Sequence, residues 1–417
     1  PWRDAATRPA QAANTVAAMD AHAGNVRPGE TPARARDLQG AIAIFLLGVG
    51  LAWSAGNVGP VVGELRDEFG ISLTAVGVLS GTLFYSAMVA GIGIAPRVAE
   101  RIGLIQGMLL ACALGGVGCL IFALSPNVAL LALGRVLAGV ALGFAGVLGP
   151  VFARATGGVA RVGIFGGSFQ LGIAGGLGVG SVLADGGVDW RVGFVVSAVV
   201  AIAAIPLLWT ENVAVELQGG QRGFLRAAIR DPAVIRLSLL FMAMFAVPLT
   251  LGAWFVHYVS EDGGLRVALA GGLAFVLFGV SALMREVGGK LAGRGVSAAL
   301  LTGVMPWLAA VGLAAIAIDR SPGVVSVAVV LMACGFALPY ARMMIEAQRL
   351  FPPEPAQPTA LLTMAGSAVA IGAIPVLGAV LNEGEGELGF LVLAAFVAIA
   401  GFANLRPVDT EIVPRPE

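Results

Sequence analysis

The sequence predicts an all-α polytopic membrane protein in which twelve transmembrane helices form two six-helix pseudo-symmetric halves, and three observations lead there. The composition is 58% hydrophobic and 12% charged, with a mean hydropathy of +0.91, whereas soluble domains run about 45–50% apolar and about 25% charged. From Gly40 onward, twelve windows near 20 residues carry almost no charge, the length that crosses about 30 Å of hydrocarbon. A charged motif, APRVAERIG at 95–103, returns in worn form as GGKLAGRG at 288–295. Arg97 then meets Lys290 and Arg101 meets Arg294, an offset of 193 in both cases (290 − 97 and 294 − 101). Each copy follows the second window of its own half, as two parallel repeats about an axis normal to the membrane would give.

In chain order, residues 1–39 are rich in Ala, Arg, Pro and Asp and have no apolar core of signal-peptide length, so a disordered cytoplasmic tail is expected. The windows follow at about 41–61, 71–94, 104–123, 128–151, 163–184 and 192–210, then 233–257, 267–284, 298–317, 323–341, 358–381 and 388–405. Helix is the state expected for each, because a lipid-facing strand leaves backbone groups unpaired at several kcal/mol apiece. Charge enters only with Arg135 in the fourth window and Arg236 at the start of the seventh, which ends near His257. The halves are 40–210 and 233–406, joined by a polar cytoplasmic linker at 211–232, with a cytoplasmic tail at 407–417. In the linker, Arg222, Arg226 and Arg230 share one helical face that fits either an anionic leaflet or plain solvent.

With the N-terminus in the cytoplasm, 20 of the 25 basic residues, Arg285 among them, fall on the cytoplasmic side. Arg66, Arg191, Arg266 and Arg320 fall outside, and Arg135 completes the set. The positive-inside rule therefore puts both termini in the cytoplasm of a multi-pass protein of the inner or plasma membrane.

Several classes are excluded. The net charge is zero, which gives no case for nucleic acid. Cys112, Cys119 and Cys334 lie in apolar runs as small hydrophobes, and His22 and His257 form no cluster with them, so neither disulfides nor a metal site is expected. No cofactor is expected, and no G-x-x-x-x-G-K-[ST] loop offers ATP a seat. An enzyme would need ionisable side chains gathered in or beside the spans, and Arg135 stands alone.

The charged motif resembles the signature of the major facilitator superfamily, close to G-x-x-x-D-R-x-G followed by basic residues. The chain offers Glu100, Arg101, Ile102 and Gly103, with Glu for Asp, Pro96 at the leading glycine and Leu104–Ile105 where basic residues are usual. The second copy keeps Gly289 but has Gly293 in place of the acid. Arg135-x-x-x-Gly139-x-x-x-Gly143 is similar to the fourth-helix motif of the superfamily, and Gly163, Gly172, Gly176 and Gly180 follow its antiporter spacing with Leu177 where a proline belongs. The resemblance covers about residues 40–406. It implies a secondary transporter working by alternating access, monomeric by the family's default, with Arg97, Glu100, Arg101, Gly103, Gly289, Lys290 and Arg294 as an asymmetric cytoplasmic gate. A solvated loop is the plainer alternative.

Arg135 is the one charge well inside a predicted span, and such a charge usually faces a bundle interior or aqueous cavity. It is expected to line the pathway, with pairing to backbone carbonyls or snorkelling left open. Superfamily helices 1, 4, 7 and 10 line the cavity, which by resemblance points to Trp53, Ser54, Asn57, Thr250, Trp254 and Tyr340; Tyr85 and Gln170 could add hydrogen bonds. Trp254, His257 and Tyr258 fit an interfacial aromatic belt equally well. Gly139, Gly143, Gly172, Gly176 and Gly180 let helices approach closely, for static packing or for sliding.

No Asp or Glu falls inside a predicted span. That leans the substrate toward a small anionic or neutral solute, of the kind handled by nitrate- or cyanate-type members, with a proton as candidate coupling ion. Proton-coupled export of hydrophobic compounds and a transporter-like sensor are the alternatives.

Overall fold

The computed structural model describes residues 31–211, 232–350 and 356–406. The polar linker with its three arginines, most of the N-terminal tail and residues 407–417 lie outside the described residues. Helix begins at Thr31, inside the segment expected as tail. Pro32 falls in its first turn, where a missing N–H costs nothing.

Among the described residues, twelve helices are long and apolar enough to cross a membrane: α1 (Leu38–Phe69), α2 (Leu73–Ile102), α3 (Leu104–Ala123), α4 (Val128–Gly158), α5 (Arg161–Asp185), α6 (Arg191–Trp209), α7 (Pro232–Glu261), α8 (Val267–Gly293), α9 (Ala299–Ile318), α10 (Pro322–Ala347), α11 (Leu361–Asn382) and α12 (Gly386–Ala403). Large apolar side chains such as Val199, Ile318 and Phe402 point outward, at 61%, 78% and 69% exposure. An aqueous protein does not surround itself with such a surface, but a lipid-embedded one does.

The main packing pairs of the first half recur in the second. Helix α1 lies on α5 and α6 as α7 lies on α11 and α12; α3 lies on α4 and α6 as α9 lies on α10 and α12; α2 crosses α4 as α8 crosses α10. Lipid supplies no hydrophobic force between helices, so close backbone approach does that work. A Cβ on Gly172 or Gly176 would stand 2.5 Å from the Val49 or Trp53 carbonyl of α1, and one on Gly139 or Gly143 would collide with the Phe84 or Met88 carbonyl of α2. Gly180 is looser, 3.2 Å from Pro60.

Two irregular stretches matter for the site. Helix α1 breaks after Gly56, passes through the 3₁₀ turn Gly59–Val61 and resumes as Val62–Phe69, so Glu64, Asp67 and Glu68 sit on a helical extension of the first span. Helix α2 starts as the α-helical Leu73–Gly77 and then widens into a π-helical stretch, Val78–Leu83. Between α4 and α5 the chain bends at Gly157 and Gly158, and Gly158 has φ +64°, a conformation that favours glycine.

Candidate functional site

The halves meet along α2 with α11 and α5 with α8, and the contacts gather at the end of the bundle opposite the termini, here the distal face. A Cβ on Gly77 would stand 2.6 Å from Pro375 Cα, one on Gly59 2.6 Å from the Gly252 carbonyl, and one on Gly271 would strike Ser181. Asp185 pairs with Arg266 at 2.5 Å. Pro375 has no N–H to give the Ile371 carbonyl one turn back; Thr82 Oγ1 of the other half donates to that carbonyl at 2.9 Å. The distal face is thus sealed by backbone-close packing plus one hydrogen bond that a proline makes available.

Arg135 is 2% exposed. Its Nη1 donates to the Ser54 carbonyl at 2.8 Å, its Nε points to the Leu79 carbonyl at 3.5 Å, and Cζ lies 4.0 Å from the centre of the Phe84 ring. Both carbonyls come from irregular backbone, since Ser54 is in the last turn before α1 breaks and Leu79 is in the π-helical stretch. Nη2 has no partner among the described residues. In this conformation Arg135 is sealed between α1, α2 and α4.

The α1 candidates turn away from a common cavity. Ser54 Oγ donates to its own turn at the Leu51 carbonyl, 2.8 Å, while Asn57 Nδ2 bonds the Gly193 carbonyl of α6 at 2.9 Å. Trp53 packs its ring on Gly175 and leaves Nε1 buried without a partner. Tyr85 is buried edge-on to Phe84, ring centres 5.1 Å apart. Thr250 Oγ1 donates to the Ala246 carbonyl at 2.8 Å, one turn back in its own helix, and Trp254 Nε1 to the Ile374 carbonyl at 2.8 Å. Trp254, His257 and Tyr258 are all buried, so no aromatic belt is formed there: Tyr258 instead stacks on Phe390 at 4.0 Å and accepts from Arg320 Nη1 at 2.6 Å.

A narrow cleft lies on the terminal side of the distal seal, with Gln170 of α5 facing Pro248 of α7, Phe278, Ser281 and Arg285 of α8, and Phe336 of α10. Arg285 corrects the sequence reading, which ended the eighth span at 284 and counted this residue with the cytoplasmic loop. Helix α8 runs on to Gly293. The Arg285 guanidinium lies over the Tyr340 ring, 4.3 Å from its centre, and Nε is buried and unbonded. The signal was present in Ser281, Arg285 and Gly288, spaced i, i+4 and i+7 on one face, and Gly288 brings α8 against the Leu338 carbonyl of α10. A window that stops at its first charge misses it. Glu346 likewise lies inside α10, buried and paired with Arg342 at 2.5 Å.

The two motif copies sit at corresponding corners. Gly103 has φ +96° and alone links α2 to α3. Arg97 Nη1 reaches only the Gly93 carbonyl of its own helix, at 2.9 Å, and Glu100 and Arg101 are exposed with no ion pair among the described residues. In the second copy Lys290 pairs with Glu286 at 2.7 Å, Gly289 lies against Ala341, Arg294 is exposed, and the positive φ falls to Gly295 at +81°.

Two six-helix repeats, sealed at one face and carrying a cleft toward the other, define a membrane carrier of the two-bundle type. The family model of the Major Facilitator Superfamily matches residues 44–374, and the chain belongs to that superfamily. A bacterial homolog of the human lysosomal transporter Spinster, inward-facing and unoccupied, is similar at a TM-score of 0.70 with 18% identity, covering 89% of this chain and 96% of that one. The inward-open xylose transporter XylE from E. coli gives 0.65 with 14% identity, over 88% and 94% of the two chains. The nucleoside transporter NupG gives 0.65 with 13% identity, over 88% and 98%. A comparison with curated proteins finds no match. The protein is a multi-pass secondary transporter.

Proposed function

We propose that the protein moves a small anionic or neutral solute by alternating access, and that the described conformation is open toward the terminal, cytoplasmic side of an inner or plasma membrane. The observation that carries this reading is one-sided closure: the close backbone approaches, the Thr82 bond and the Asp185–Arg266 pair all lie in the distal half of the bundle. The exposed, unpaired Glu100 on the opposite face suits a gate that is disengaged in this state. The substrate preference rests on charge. The cleft offers a guanidinium and no carboxylate among its described lining residues, which favours an anion and disfavours a cation. A proton is the candidate coupling ion and the monomer the candidate assembly.

The runner-up, proton-coupled export of hydrophobic compounds, draws support from the apolar wall of Pro248, Phe278 and Phe336. Proteoliposomes loaded with a pH-sensitive dye separate the two. Internal acidification on addition of one small anion supports anion–proton symport, whereas a proton response only to lipophilic cations replaces the first reading with the second.

A further inference from the structure

The geometry points to a subsite for a small oxyanion, a carboxylate or an inorganic oxyanion, on the Arg285 guanidinium, closed from the opposite half by Gln170. It deepens the transport reading above and rests on it for its place in the cycle. Three observations meet here. Arg285 lies within a membrane-spanning helix yet makes no hydrogen bond or ion pair among the described residues, and its Nε is sealed from solvent. The Tyr340 ring face, 4.3 Å away, supports the cation from one side but supplies no acceptor in the guanidinium plane. Gln170, buried on α5, also has no hydrogen bond among the described residues and lines the same cleft.

A half-buried guanidinium without a counter-charge is unfavourable, and its fork matches a planar oxyanion through two parallel N–H bonds. The apolar neighbours Phe278 and Phe336 lower the local dielectric and strengthen that pairing. Protein groups do not supply the anion. Glu286, the next residue, is exposed and already paired with Lys290, and Ser281 gives its proton to the Ala333 carbonyl at 3.4 Å. Arg135 differs in that backbone carbonyls already occupy its Nη1 and Nε, leaving only Nη2 without a partner among the described residues. Because Arg285 belongs to α8 and Gln170 to α5, an oxyanion held by both ties the two halves together and favours closing the terminal side.

The test is calorimetric titration of the full-length chain in nanodiscs with acetate, benzoate and nitrate in turn, at constant ionic strength. Saturable binding is expected for at least one of them, and preference between the carboxylates and nitrate identifies the source of the oxyanion. Arg285→Gln is expected to weaken it by about 10- to 100-fold and Gln170→Ala by about 3- to 10-fold, while Arg66→Gln, removing an exposed charge elsewhere, leaves it unchanged. If Arg285→Gln loses its monodisperse elution peak, Arg285→Lys keeps the charge without the fork and is expected to lose about 10-fold. Wild-type affinity in whichever Arg285 variant folds, or no binding of any probe to the wild type, overturns the subsite. Flux measured in parallel separates the two ideas. Anion binding without flux keeps the subsite and overturns transport, whereas flux that anions do not compete and Arg285→Lys does not alter keeps transport and overturns the subsite.

Discussion

In the first half the interior guanidinium, Arg135, is held by the Ser54 carbonyl at 2.8 Å and covered by Phe84, while in the second half Arg285 rests on Tyr340 and bonds to nothing described. Both sit on helices inside the bundle, and both have an aromatic ring against the cation. The difference lies in the backbone nearby. Helix α1 breaks beside Arg135 and presents the Ser54 carbonyl to it, whereas the break in α10 at Leu338, beside Arg285, presents no carbonyl that bonds the guanidinium among the described residues. An intramembrane charge is therefore structural when a broken helix presents a carbonyl to it and available when none does.

The largest effect that would sharpen this contrast is steric. Gly139→Val places atoms against the Phe84 carbonyl, and it should destabilise the α2–α4 crossing by about 3 kcal/mol or more. Gly293→Val, with open space around it, should leave thermal unfolding in detergent unchanged. Next come the two guanidinium groups. Arg135→Met should lower stability by about 3 kcal/mol, because the Ser54 carbonyl loses its charged donor. Arg285→Met should hold stability or raise it by about 1 kcal/mol while abolishing anion flux. Equal losses of stability in the two variants would erase the distinction drawn here.

A smaller effect concerns the seal. Thr82→Val removes the bond to the Ile371 carbonyl, worth about 1 kcal/mol, and should shift the distal-open population about fivefold. Spin labels on the exposed positions Arg66 and Glu383, one in each half, would read it as a longer distance component. Smaller still, Glu100→Gln should leave this conformation undisturbed, because Glu100 has no partner in it, yet should weaken the opposite state. Cysteine labelling that changes in neither direction would take Glu100 out of the gate. Lys290→Ala, which breaks an exposed pair within one helix, should be undetectable by either method.

Much of the fold was legible because lipid imposes a length on each element, and all twelve windows became helices of α1–α12. Arg135 was legible as a buried charge, but its carbonyl partners were not, since they depend on where α1 breaks and where α2 widens. Arg285 was misplaced because hydropathy ends a span at its first charge, whereas a helix continues until its backbone stops it. Trp254 read equally as a cavity or a belt residue, and Tyr258 as a belt residue, because sequence gives distance from a helix end and not direction. Their partners, the Ile374 carbonyl and Phe390, lie on α11 and α12.

Pro375 gives the distal seal a property beyond adhesion. In an uninterrupted helix the Ile371 carbonyl would be indifferent to its neighbours, but here its donor comes from the other half of the molecule. Separating the halves strands a carbonyl at membrane depth, where only water can replace Thr82. Opening on that side is thus obliged to be wet: hydration must arrive with the motion. The solvent becomes a reactant in the transport cycle, and osmotic pressure becomes a handle on which face the carrier presents.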